Sequence, residues 1–155
     1  MKFISFLAKV IPEQVVYAHC DIPCGVYDPT PAQIAAHTVL RMTQLLGEKT
    51  SAHDVSRIAH VKEHHGKIVE EELGTLENDY FKEEHYKVNP KLKELLSETV
   101  KLSTKTRQEV NLDACKEMLE KVLQIAEIFY KTKNVNPVRV KSLYPTEGQI
   151  VTYTA

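Results

Sequence analysis

This chain is poor in cysteine and glycine, and neither sign of charge is in excess. Three cysteines in 155 residues are too few for a disulfide scaffold, and an odd number cannot all pair within one secreted domain. The five glycines are scattered, which excludes a glycine-rich loop of the kind that cradles phosphate. A formal net charge of -1 offers no basic footprint, so no nucleic-acid partner is expected. No apolar run reaches the ~20 residues that span a bilayer, and no membrane partner is expected either. What remains is 43% apolar and 26% charged, the balance of a soluble globular domain large enough to bury a core without staples.

From Asp28 onward the apolar residues recur at helical spacing. Asp28 can cap a first helix, and Pro29 and Pro31 suit its first turn, where a missing N–H costs nothing. Ile34, Thr38, Met42 and Leu45 continue that helix to Gly47. A second, longer helix begins after Ser51 and carries Val55, Ile58, Val61, Ile68, Val69, Leu73 and Leu76. Gly66 and Gly74 lie inside it, each costing about 1 kcal/mol against alanine. A third follows Asn89-Pro90 with Leu92, Leu95, Leu96, Val100 and Leu102. The fourth begins near Asn111 and runs through Cys115, Leu119, Val122, Ile125 and Phe129. Four amphipathic helices with short links predict an all-α fold, an antiparallel four-helix bundle over residues 29–133. Residues 134–155 read as an irregular tail, with period-two alternation only in "QIVTYTA" at its end.

Two histidine motifs need weighing. "HVKEH", His60 to His64, matches the inverted zinc-protease pattern. At about 100° per residue, however, His60, Glu63 and His64 fall opposite Val55, Ile58 and Val69, which makes them solvent residues of a surface helix. His65 falls within the apolar stripe and reads as a hydrogen-bonded core histidine. Cys115, on the buried stripe of the fourth helix, reads as a small hydrophobe. The run Glu70, Glu71, Glu72 is a solvated helix face, with Glu72 close to the stripe.

Cys20 and Cys24 remain, in "YAHCDIPCGVYDP" from Tyr17 to Pro29. A C-x3-C spacing alone fits a zinc half-site, a disulfide or a redox pair. Zinc needs two more N or S ligands and no second cysteine pair exists. A thioredoxin-like motif needs C-x-x-C in a strand–helix setting. If the chain is cut between Ala18 and His19, the new α-amine and the Cys20 amide nitrogen form a five-membered chelate. The Cys20 thiolate closes a second ring, Pro23 turns the chain, and Cys24 supplies a second thiolate. A planar N2S2 set with the His19 imidazole above it selects nickel or copper rather than zinc. The opening "MKFISFLAKVIPEQVVYA" has Lys2 and an apolar patch, but Lys9, Pro12 and Glu13 break the continuous apolar core of an export signal. Residues 1–18 therefore read as a pro-segment, residues 19–28 as the metal-binding hook that precedes the bundle, and the cytoplasm, rather than the periplasm, as the location.

"HCDIPCGVYDP" resembles the nickel hook of nickel superoxide dismutases. The likeness extends to about Lys133 and takes in "DYFK", Asp79 to Lys82, and "IFYKTK", Ile128 to Lys133. It implies one nickel per chain, held by His19, Cys20 and Cys24, and disproportionation of superoxide to oxygen and hydrogen peroxide. It also implies that Tyr27 stands over the open face of the metal, where it holds a small anion and keeps larger ones out. Asp21 and Cys24 would offer backbone N–H groups nearby. A maturation protease cutting between Ala18 and His19, and assembly as a homohexamer, follow from the same likeness. In the family a glutamate of the first helix and an arginine of the second steady the histidine imidazole, whereas the matching positions here are Ala35 and His65. Two other functions use the same loop: a non-catalytic nickel or copper binding protein, and a thiol–disulfide redox protein using Cys20 and Cys24.

Overall fold

A computed structural model describes residues 24–154. Its helices are α1 (Thr30–Glu48), α2 (Ala52–Thr75), a short α3 (Glu83–Val88), α4 (Leu92–Gln108) and α5 (Leu112–Thr132). A π-helical turn, Leu76–Tyr80, ends α2. The four long helices pack in a ring, α1 on α2, α2 on α4, α4 on α5 and α5 on α1. Short links force neighbours to run antiparallel, so the expected four-helix bundle is present.

Local chemistry sets the helix ends. Asp28 Oδ1 accepts from the Thr30 N–H at 2.7 Å, Ser51 Oγ from Asp54 N–H at 3.1 Å, and Asn111 Oδ1 from Ala114 N–H at 3.0 Å. Each satisfies a backbone donor that the first turn leaves without a partner. α5 is the central helix and buries Met118, Val122, Ile125, Ala126 and Phe129. α1 turns a different face inward from the one its large apolar residues suggest. Ala32, Ala35, Ala36 and Val39 are buried, whereas Ile34 is 46% exposed. Small residues let α1 approach its neighbours closely, and packing favoured them over the larger side chains.

α4 packs through leucines at its start, Leu92 and Leu96, and through hydroxyls further along. Thr99, Ser103 and Thr106 are all buried, and each finds an acceptor. Thr99 donates to Leu95 O at 2.6 Å, Thr106 to Ser103 O at 2.8 Å, and Ser103 crosses to Gly66 O on α2 at 2.8 Å. Lys62 is also buried. Its ammonium donates to Thr106 O, to Glu109 O at 2.7 Å and to Arg107 O at 3.3 Å, closing the carbonyl end of α4. A cation at a helix C-terminus also complements the dipole.

The tail expected to be irregular is instead a two-stranded antiparallel hairpin, which corrects that reading. β1 (Asn136–Lys141) pairs with β2 (Gln149–Thr154), and the alternation of "QIVTYTA" is the part of the pattern that foretold it. The hairpin is docked onto α1 by side chains that complete the outer edge of β2. Buried Gln33 donates to Val151 O at 3.1 Å and accepts from Val151 N–H at 2.7 Å. Buried His37 donates from Nε2 to Gln149 O at 2.8 Å and accepts at Nδ1 from Thr146 Oγ1 at 2.7 Å. An edge satisfied in this way cannot recruit another strand. Arg139 fixes the other strand to α5 through Glu120 and Glu127, at 2.8 and 2.6 Å.

Candidate metal centre

The described residues begin at Cys24, and the segment leading into α1 turns at Gly25. Gly25 has φ +74°, a backbone region open to glycine and strained for other residues. It turns the chain immediately after the cysteine, and the Val26 N–H comes back to donate to Cys24 Sγ at 3.4 Å. A backbone N–H aimed at sulfur is the contact that orients a metal-bound thiolate and tunes its donor strength. Cys24 is exposed. This turn and its donor chemistry fit a thiolate ligand to nickel. His19, Cys20 and Asp21, with the expected cut after Ala18, lie outside the described residues. Among the described residues no three His, Cys, Asp or Glu side chains come together as a metal site.

Tyr27 is half-buried and its ring lies 5.5 Å from that of Tyr80. Tyr80 belongs to the π-helical turn, closed by Phe81 N–H to Leu76 O at 2.8 Å. Such turns shift side-chain register and often occur at functional sites. Tyr80 is held by a hydrogen bond between its hydroxyl and Thr132 Oγ1 at 2.6 Å. It also packs on Phe129 at 4.6 Å, and Lys133 Nζ stands 4.7 Å over its ring. The residues of "DYFK" and "IFYKTK" thus meet behind Tyr27. Sequence reading quoted both stretches without assigning Tyr80 a role, and nothing in local spacing marks it.

Two cavities flank the base of the hook. One of about 190 Å³ is lined by Val26, Tyr27, Asp28, Pro31, Glu72 and Leu76, among others. The other, about 600 Å³, is lined by Asp28, Pro31, Ile34, Ala35, His65 and Ile68, with Thr30. Ala35 and His65 therefore face one space at the base of the hook. His65 Nδ1 donates to Val61 O at 3.0 Å, as expected of a satisfied histidine.

The other candidates lie elsewhere. His60 and His64 are exposed. Glu63 is held by Arg107 at 2.7 Å, which keeps its carboxyl below the ordinary range, so the zinc-protease arrangement does not form. Cys115 is buried beside Thr43 Oγ1 at 3.3 Å, and burial pushes its thiol pKa up, as suits a packing residue.

The described residues thus place an all-α antiparallel bundle behind a cysteine-bearing turn that enters its first helix. Residues 14–133 match the family model described as nickel-containing superoxide dismutase. The chain is 32% identical over 122 residues to a nickel superoxide dismutase of Streptomyces coelicolor, covering 79% of this chain and 93% of that protein. It is 34% identical over 122 residues to that of Streptomyces seoulensis, with the same coverage. A solved nickel-containing superoxide dismutase with nickel ligation of the oxidised state superposes with a TM-score of 0.72 at 33% identity, covering 75% of this chain and 99% of that one. The chain belongs to the nickel-containing superoxide dismutase family. It is an oxidoreductase with a nickel cofactor, and the hairpin lies beyond the residues that the family model matches.

Proposed function

We propose that this chain converts two superoxide anions and two protons into oxygen and hydrogen peroxide at a nickel ion held by His19, Cys20 and Cys24. The observation that carries this reading is the complete "HCDIPCGVYDP" hook at the head of a chain of this family. Nickel, when bound, supplies a couple between its +2 and +3 states that accepts an electron from one superoxide and returns one to the next. The chain's own residues make that possible. His19 offers the α-amine and imidazole once a protease cuts after Ala18. Cys20 offers its amide nitrogen and thiolate, and Cys24 its thiolate, oriented by the Val26 N–H.

Tyr27 is braced from behind by Tyr80, which supports the role the family likeness gives it, a tyrosine beside the metal. There it admits a small anion and leaves no room for larger ones. The Asp21 backbone N–H is a second donor toward that anion. The chain works in the cytoplasm as a homohexamer, with residues 1–18 covering the hook until maturation.

The test is processed, nickel-loaded protein assayed for superoxide consumption, beside Cys24→Ser and the uncut chain. One nickel per chain, a mass beginning at His19 and turnover that Cys24→Ser abolishes are expected. Loaded, processed protein without superoxide-dependent turnover would overturn the reading in favour of metal carriage. Reversible Cys20–Cys24 disulfide activity without metal would favour thiol chemistry.

A further inference from the structure

The exposed pair within "HVKEH" takes no part in the hook, yet its i,i+4 spacing on a helix is that of a chelate. On a helix, side chains four residues apart stand one above the other with Cβ atoms about 5–6 Å apart. His60 and His64 are such a pair on α2, and both are exposed. Among the described residues no hydrogen bond or ion pair engages either imidazole, and the one ring contact is that of His64 with His65. The carboxylate between them does not compete, because Glu63 is taken by Arg107 at 2.7 Å and Lys67 at 3.6 Å. Two neutral imidazoles with water completing the shell suit divalent nickel, copper and zinc.

A third imidazole leads inward from the pair. The His64 and His65 rings meet edge to face at 5.3 Å. His65 gives its Nδ1–H to Val61 O, the backbone contact typical of a histidine whose other nitrogen is a ligand. His65 also lines the 600 Å³ cavity shared with Asp28 and Ala35 at the base of the hook. His65 thus stands between the exposed His64 and the cavity that Asp28 lines.

We propose that His60 and His64 form a two-imidazole Ni2+ site on the outer face of α2, which collects the metal before it passes by His65 to the hook. The collecting role rests on the nickel reading above; the binding itself does not.

The experiment titrates Ni2+ into the full chain carrying Cys20→Ser and Cys24→Ser, which removes the hook thiolates, and follows histidine ring signals by NMR. Paramagnetic broadening centred on His60 and His64 is expected, ahead of exposed His53. Adding His64→Ala abolishes it at the Ni2+ concentration that half-saturates the parent. Absent broadening, or equal broadening of His53, His60 and His64, overturns the site. In the chain with intact cysteines, His60→Ala with His64→Ala slows nickel incorporation at limiting Ni2+ and not at saturating Ni2+. Unchanged loading at limiting metal overturns the collecting role. Failure of either arm with dismutase activity intact leaves the functional reading standing, so the two remain separable.

Discussion

Two glycines of α2 should respond in opposite ways to the same substitution. By helix propensity alone, Gly→Ala within a helix stabilises by about 1 kcal/mol. At Gly74 the added methyl meets only Asn78 Nδ2 at 4.0 Å, so Gly74→Ala should realise that gain. That raises Tm by about 2–4 °C for a domain of this size. At Gly66 the methyl would overlap Arg107 Cγ and lie 2.7 Å from its Cδ. These are mid-chain atoms of a side chain fixed at its far end by Glu63 at 2.7 Å and Glu70 at 3.0 Å. Arg107 has to move and surrender those contacts.

Overpacking of this kind costs about 1–3 kcal/mol, which outweighs or cancels the propensity gain. Gly66→Ala should therefore be destabilising by up to about 2 kcal/mol, and the two variants should differ by about 1–3 kcal/mol. The assay is urea denaturation of both variants and the parent, at one protein concentration because assembly shifts apparent stability. Equal stabilisation by both would refute the tight approach of α2 and α4. Gly66→Ala combined with Arg107→Ala should recover much of the Gly66→Ala loss, since the overlapping side chain is gone.

Lys62→Met keeps the length of the side chain but removes its ammonium, leaving Thr106, Arg107 and Glu109 carbonyls without their donor. A loss of about 1–3 kcal/mol is expected from the urea midpoint, and an unchanged midpoint would refute the capping role. Gln33→Met removes both hydrogen bonds to Val151. Amide exchange in β2 should then accelerate while α5 keeps its protection; uniform acceleration would mean that the hairpin is not a separate unit. Burial lowers the His37 pKa, against a smaller opposing effect of the Gln149 carbonyl. Because the unfolded chain takes up this proton first, stability present above the ordinary imidazole value of about 6.5 falls as pH drops below it. Urea midpoints between pH 7.5 and 5.5 should fall less in His37→Gln than in the parent, and parallel profiles would refute the assignment.

The proposed donors of the candidate centre can be read from the sequence because they are close together in it. Amine, amide, imidazole and two thiolates fall within six residues, His19 to Cys24, and donor chemistry needs no folded partner to be read. The helices were legible for the same local reason. Periodicity and caps such as Asp28, Ser51 and Asn111 act over three or four residues, and α5 followed its pattern from Cys115 to Phe129.

What only the tertiary structure decided involves partners far apart along the chain. The inward face of α1 went to alanines and Gln33 because close packing and the β2 edge, 118 residues away, demanded them. Gly66 became a crossing point because Ser103 and Arg107 of α4 fill the space a methyl would take. Lys62, which looks like a surface residue in its local pattern, is buried because three carbonyls at the end of α4 converge on it. Tyr80 stands behind Tyr27 only because a π-helical turn brings it there. Local sequence sets what each segment can form and which atoms can bind metal. Which face turns inward, and which polar group finds a partner, is set by the surfaces that meet when the helices close.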